Sequence, residues 1–187
     1  MSIIILKNVR LSFPTIWTPK KFNDVDDKPP RYSAKFLLDK DTDSDQITDL
    51  QKLISQHVKT AFNGKKPGSL KYFLTDGAES ESEGYENAMS VSASSRETSP
   101  PKLIDRDKSP LVEEDGKLYS GCYVNAAITM WVQNNSYGKR VNCNLIAIQF
   151  VKDGERLGPA PVDMDGIFGD ISSISAPDSD DDDFLNI

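Results

Sequence analysis

Basic and aromatic side chains interleave along the start of this chain: Lys7 and Arg10 with Phe13 and Trp17, Lys20 and Lys21 with Phe22, and Arg31 and Lys35 with Tyr32. From Met1 to Leu38, seven basic residues stand against three acidic ones. Lysine and arginine can follow a phosphate backbone, and an aromatic ring can stack on a base of any identity, each stack being worth roughly 1–3 kcal/mol. Contact with a nucleic-acid single strand needs both types. A further basic stretch ends at Lys71 and Tyr72, and another cluster gathers Trp131, Tyr137, Lys139 and Arg140 around the turn signal Asn134-Asn-Ser-Tyr-Gly138. The plainer alternative is that Phe13, Phe36 and Phe73 belong to the core and that isolated lysines are solubility charges; Trp131 and Tyr137 fit either role.

Residues for catalysis are sparse. The single histidine, His57, falls inside a helical stretch, and no serine or cysteine has a base in its sequence context. Asp24, Asp26 and Asp27 form a loop run, where solvated charge is the ordinary meaning, and no glycine-rich phosphate loop precedes a helix. Cys122 and Cys143 lie in strand-like segments without CxxC spacing or a neighbouring histidine, so two small buried hydrophobes are expected. No cofactor or metal ligand set is expected.

Charge is unevenly divided. The net charge is −7, yet from Pro161 onward there are eight aspartates and no basic residue, which leaves 22 basic and 21 acidic groups in the first 160 residues. A run of like charges resists burial through desolvation and self-repulsion. Residues 161–187 are therefore expected to be a flexible acidic tail, with Asp180, Asp181, Asp182, Asp183 and Phe184 as a partner-binding hook. A solubility tail is the bland alternative. No stretch approaches the ~20 apolar residues of a membrane helix, and the start is too quickly charged for a signal peptide.

The elements that must position these residues are mostly strands. Ile3 to Phe13 reads as a strand ended by Pro14, followed by a loop from Thr15 to Pro30. Arg31 to Leu38 alternates, with Tyr32, Ala34 and Phe36 on one face and Arg31, Ser33 and Lys35 on the other. Asp43 to Phe62 reads as a helix with Asp43 as N-cap, Gln46 three residues on, and an apolar stripe of Ile47, Leu50, Ile54, Val58 and Ala61, stopped at Gly64. Tyr85 to Ser95 is a small-residue strand candidate, and Leu103 to Asp115 an irregular connection. The strongest pair is Gly121 to Val132 and Val141 to Lys152, a hairpin in which Val124, Ala126, Ile128 and Met130 share one face and Tyr123, Asn125, Thr129 and Trp131 the other. The fold class expected is mainly β with one inserted helix, in an OB-fold-like five-stranded barrel, where the hairpin turn would be a ligand-binding loop. The helix falls between strands two and three rather than three and four, so periodicity leaves the topology open.

Four segments resemble a phage family of OB-fold single-stranded-DNA-binding proteins: Lys7-Asn-Val-Arg-Leu-Ser-Phe-Pro14, Tyr32-Ser-Ala-Lys-Phe-Leu37, Tyr123-Val-Asn-Ala-Ala-Ile128, and Asn144 to Gly158. The resemblance spans nearly the whole body. It implies an OB barrel with a helix inserted after the second strand, and a tail designed like those of replicative single-strand binders. The expected division is a DNA-binding domain over 1–160 and the tail over 161–187. The expected role is sequence-independent, non-enzymatic binding of single-stranded DNA, with duplex bound more weakly, in phage replication or recombination. The tail would recruit replication or recombination proteins, and the setting would be the cytoplasm of the infected bacterial host, with no membrane partner and self-association left open. Two rivals stand beside this: an acidic interaction module or DNA mimic, and a metal-dependent nuclease.

Overall fold

Alternating burial along the chain produces strands, and the computed structural model describes them over residues 2–23, 27–159 and 172. In chain order they are β1 (Ile4–Lys20), β2 (Arg31–Asp39), helix α1 (Ser44–Ala61), β3 (Lys71–Tyr72), β4 (Leu74–Asp76), β5 (Ala88–Arg96), β6 (Lys102–Ile104), β7 (Tyr123–Asn135) and β8 (Gly138–Lys152). β1 lies between β7 and β2, β2 pairs with β5, and β7 with β8, all antiparallel. A parallel pairing at Ser94 and Asn144 joins β5 to β8, so these strands run in a ring, β1-β2-β5-β8-β7. Among the described residues the protein is thus mainly β with one α-helix. The other edge of β8 is shared in succession by β3 at Arg140 and Val141, by β5, and by β6 at Ala147 to Gln149.

The inward faces are those that alternation predicts. Val124, Ala126, Ile128 and Met130 from β7 meet Phe36 and Leu38 from β2, Val91 from β5, and Leu145 and Ile148 from β8, all buried. Burying a side chain of this size is worth about 1.5–3 kcal/mol. Ile47, Leu50, Ile54 and Val58 place one stripe of α1 on this core. Ala61, expected to complete that stripe, is exposed; the turn at the helix end brings the larger Phe62 ring onto the core instead. Asn63 (φ 50°) and Gly64 (φ 80°) then reverse the chain in the left-handed region.

The start of α1 departs from a capping box. The Asp43 carboxylate accepts from the Asp39 backbone N–H and from the Gln46 side-chain amide rather than from its own first turn. Gln46 in turn donates to the Lys7 carbonyl (2.9 Å) and accepts from the Lys7 N–H (2.8 Å). The side-chain amide therefore pairs with the main chain of β1 as another strand would, and ties the helix to a bulge between Leu6 and Val9.

β1 runs six residues beyond Pro14, where the sequence suggests a loop. Pairing with β2 shifts register between Ser12↔Lys35 and Thr15↔Ser33, and Phe13 has φ 44°. Proline lacks a donor for a sheet ladder, but a bulge needs none at that point. Regular alternation would have sent Phe13 inward beside Leu11; the left-handed conformation, which costs an L-residue roughly 1–2 kcal/mol, turns it outward instead. Phe13 is 59% exposed, against the expectation that it joins the core, whereas Phe36 and Phe73 are buried. β5 begins three residues later than Tyr85, which is buried in a satellite cluster with Leu37, Ala88 and Leu157. The connection expected to be irregular contributes the short strand β6, together with a turn closed by the Lys108 N–H on the Asp105 carbonyl. Both cysteines are buried and free, as expected. The acidic tail, with Asp180 to Asp183 and Phe184, lies outside the described residues.

Candidate nucleic-acid interface

Side chains that point away from a strand ring line up in rungs across neighbouring strands. On the outer face, Lys20 of β1 pairs with Arg31 of β2, and Arg31 with Arg96 of β5, so three cations occupy one rung. The next rung is short and polar: Thr15, Ser33 and Ser94, continued through Asn144 of β8 to Thr129 of β7. Beside it Trp131 pairs with Asn142, and Gln133 with Arg140. The small serines form a low floor, and the long side chains around it become walls.

The result is a continuous cleft, its central lobe about 530 Å³, lined by Arg31, Lys71, Tyr72, Ser94, Arg96, Trp131, Arg140 and Asn144. One extension runs past Ser95, Ser99 and Ile146, and the other past Lys20, Lys21, Phe22, Lys28 and Thr15. Across all three parts the charged lining residues, among those described, are Lys20, Lys21, Lys28, Arg31, Lys71, Arg96 and Arg140; Asp24 and Asp26, in the loop between Lys21 and Lys28, lie outside the described residues. Burial, and then the neighbouring Arg96, lower the pKa of the Arg31 guanidinium. Its Nε and Nη2 both donate to the Ser94 hydroxyl, at 3.3 and 3.1 Å. The Trp131 indole, 37% exposed, donates to Asn144 Oδ1 at 3.2 Å, which fixes its ring at the rim, and Asn142 donates to Gln133 Oε1 at 3.0 Å. The buried Ser95 hydroxyl, in the same cleft, has no hydrogen-bond partner among the described residues. Clustered cations beside ordered aromatic rings and amides suit a ligand that is polyanionic and presents flat faces.

The structure divides the residues that the sequence singled out. Lys20, Lys21, Arg31, Lys71, Tyr72, Trp131 and Arg140 meet in the cleft, although Tyr72 also packs on the core and lies under the Lys66 ammonium. Tyr137 stands at the hairpin tip, 88% exposed, and Lys139 is exposed on β8 nearby; neither lines the cleft. Trp17 is half-buried against the core. Arg10 donates to the Gly121 carbonyl and to the Glu155 carbonyl, stacks over Tyr123 and so braces the chain after β8. Lys7 lies at the bulge held by Gln46. Lys35 does not itself line the cleft, although its register partner Ser92 does, and its ammonium sits over the rings of Phe13 and Tyr85. Sequence reasoning missed Arg96, Lys28 and Asn144. Arg96 follows a strand candidate directly, but its significance lies in facing Arg31, a pairing across 65 positions that no local pattern carries.

A ring of strands with a basic, aromatic-lined cleft on its outer face defines an oligonucleotide-binding barrel of the OB type. The chain belongs to the family described as Enterobacter phage Enc34, ssDNA-binding protein, which it matches over residues 2–185. It is 33% identical over 178 residues to putative protein p50 of Acyrthosiphon pisum secondary endosymbiont phage 1, covering 90% of this chain and 94% of that protein. The single-stranded DNA-binding protein from bacteriophage Enc34, solved in complex with ssDNA, superposes with a TM-score of 0.72 at 29% identity over 83% of this chain and 89% of that one. The single-stranded DNA-binding protein gp2.5 of bacteriophage T7 shares the fold alone, with a TM-score of 0.58 at 12% identity over 88% of this chain and 97% of that one.

Proposed function

We propose that this protein binds single-stranded DNA without regard to sequence, as a non-enzymatic component of phage replication or recombination in the cytoplasm of the infected host. The observation that carries this reading is the Lys20–Arg31–Arg96 rung, three cations in register on the outer face of adjoining strands and all lining the cleft. Membership of the Enc34 family, with a relative solved on ssDNA, supports it. The strand's phosphates would lie along Lys20, Lys21, Arg31, Lys71, Arg96 and Arg140, and Trp131 would take a base. Contacts of these kinds track phosphate and ring faces rather than base edges, so they carry little sequence information. Duplex, whose bases are already stacked, would bind more weakly. Residues 1–160 form the binding domain in this reading, and 161–187 the acidic tail that competes for the cleft and recruits protein partners.

The test is fluorescence anisotropy with labelled single-stranded and duplex oligonucleotides across a salt series. Single-strand affinity should fall with salt at a slope of roughly −0.7 per phosphate neutralised, approaching about −4 if all six of these cations engage. No affinity for either nucleic acid, at any salt, would replace this reading with that of an acidic interaction module.

A further inference from the structure

Phe13 does not belong to the cleft described above, and nothing in the ring requires it to face solvent. Two residues earlier Leu11 points into the core, and strand alternation would send Phe13 the same way. The bulge at Phe13-Pro14 and the positive φ at Phe13 reverse that, leaving a large apolar ring on the outer face. The ring is held there. Its centroid lies 6.3 Å from that of Tyr85, at an interplanar angle of 54°, and Tyr85 is itself fixed by burial and by a 2.8 Å hydrogen bond with the Ser12 hydroxyl. The Lys35 ammonium lies 5.8 Å from the Phe13 centroid and 6.0 Å from that of Tyr85. A rigid exposed ring with a cation beside it offers a stacking face and a phosphate contact in one place.

Its position relates it to the cleft. Lys35 follows Arg31 by four residues on the same face of β2, roughly 13 Å along an extended strand, with Ser33 between them. The Thr15–Ser33–Ser94 rung lines the cleft, and the adjacent rung is Ser12–Lys35–Ser92. A strand leaving the basic rung along β2 therefore passes Ser33 and its register partner Thr15 on the way to Phe13.

We propose that Phe13 and Lys35 form a second stacking station for single-stranded DNA, continuous with the cleft but used only by strands long enough to extend beyond it. The proposal rests on the single-strand-binding reading and specifies where the bound strand goes. Phe13 stacks on a base, and Lys35 meets the flanking phosphate.

The experiment compares the unaltered chain with Phe13→Ala, Phe13→Trp and Lys35→Gln on oligothymidines of about four and about fifteen nucleotides, a range spanning the site sizes of such barrels. Phe13→Ala should lose roughly 5- to 100-fold on the longer strand, at low and high salt alike, and less than twofold on the shorter. Phe13→Trp should retain the longer-strand affinity, which a merely structural role for the phenyl ring would not predict. Lys35→Gln should lower the salt slope on the longer strand by about 0.7. Unchanged longer-strand binding by Phe13→Ala, or equal losses on both lengths, would overturn the station while leaving the cleft intact. A change in oligomeric state on sedimentation without loss of affinity would assign Phe13 to a contact between copies and overturn it too. Failure of the unaltered chain to bind either strand would defeat the cleft reading as well.

Discussion

At the scale of single residues, Arg31 and Arg96 set the terms of the site. Like charges directly opposite across two strands are unfavourable, by roughly 0.2–1 kcal/mol for a typical pair and less where water screens them. The pair persists here in a lobe with no carboxylate among its described lining residues, and burial together with Arg96 lowers the Arg31 pKa. A polyanion would relieve both. Replacing Arg96 with glutamine should therefore act in opposite directions: Tm rising by about 1 °C, and single-strand affinity falling with a salt slope shallower by about 0.7. Thermal melts beside anisotropy titrations would check this, and a drop in Tm would contradict it. Trp131 differs in kind, because stacking is not screened. Trp131→Ala should lose roughly 5- to 100-fold in affinity at both low and high salt, while Lys139→Ala should matter only at low salt, if at all. A Trp131→Ala loss that disappears in high salt would remove stacking from its role.

At the scale of elements, the β7–β8 hairpin is the backbone of the barrel and carries the Trp131 rim as well as part of the core. Its two-residue connection, Ser136-Tyr137, is closed by Gly138 at φ 127°, and Asn135 Oδ1 accepts from the Tyr137 N–H. Two thiols are built into this region. Burial pushes Cys122 from the ordinary 9.0 up to about 11 and Cys143 up to about 12. Between those limits the unfolded chain releases protons that the folded chain keeps, so the thiols' contribution is fully present below about pH 9 and declines as pH rises above it. Urea unfolding at pH 10 should show the thiols' contribution lower than at pH 8 by roughly 3 kcal/mol, from two groups at about 1.4 kcal/mol per pH unit above about pH 9. Cys143→Ala should show about half that dependence. In the native protein at pH 8, neither thiol should react with a thiol reagent at a rate comparable to that after unfolding.

At the scale of the whole molecule, the charge is partitioned rather than balanced. The chain carries −7, yet its first 160 residues are close to neutral and gather a cluster of cations in one cleft, while eight aspartates follow from Pro161. In the reading proposed above, an acidic segment tethered at an effective concentration of order millimolar would compete with a weakly bound strand. Removing residues 178–187 should strengthen single-strand binding at low salt, and the gain should shrink as salt screens the aspartates. Tighter binding by the intact chain would exclude an inhibitory tail.

Much of this was legible before any tertiary structure, and the part that was legible has a common cause. Periods of two and of 3.6 residues are written in near neighbours, so the faces of β2 and β7, most of the buried stripe of α1, the hairpin turn and the burial of both cysteines follow from local pattern. Lys20, Lys21, Arg31, Lys71, Trp131 and Arg140 could be singled out because basic and aromatic residue types are visible one by one. Their arrangement was not visible. Which strands pair, and in which register, depends on burial shared between segments far apart in sequence; Arg31 meets Arg96, and Ser94 meets Asn144, only when the ring closes. The same holds for Arg10, whose charge reads as a ligand contact until the chain around Glu155 arrives to accept its hydrogen bonds. Phe13 shows the limit most clearly. Its type and spacing send it inward, and only a strained bulge supported by Tyr85, Ser12 and the neighbouring strands turns it outward, because a positive φ at a bulky residue survives only where distant packing holds it.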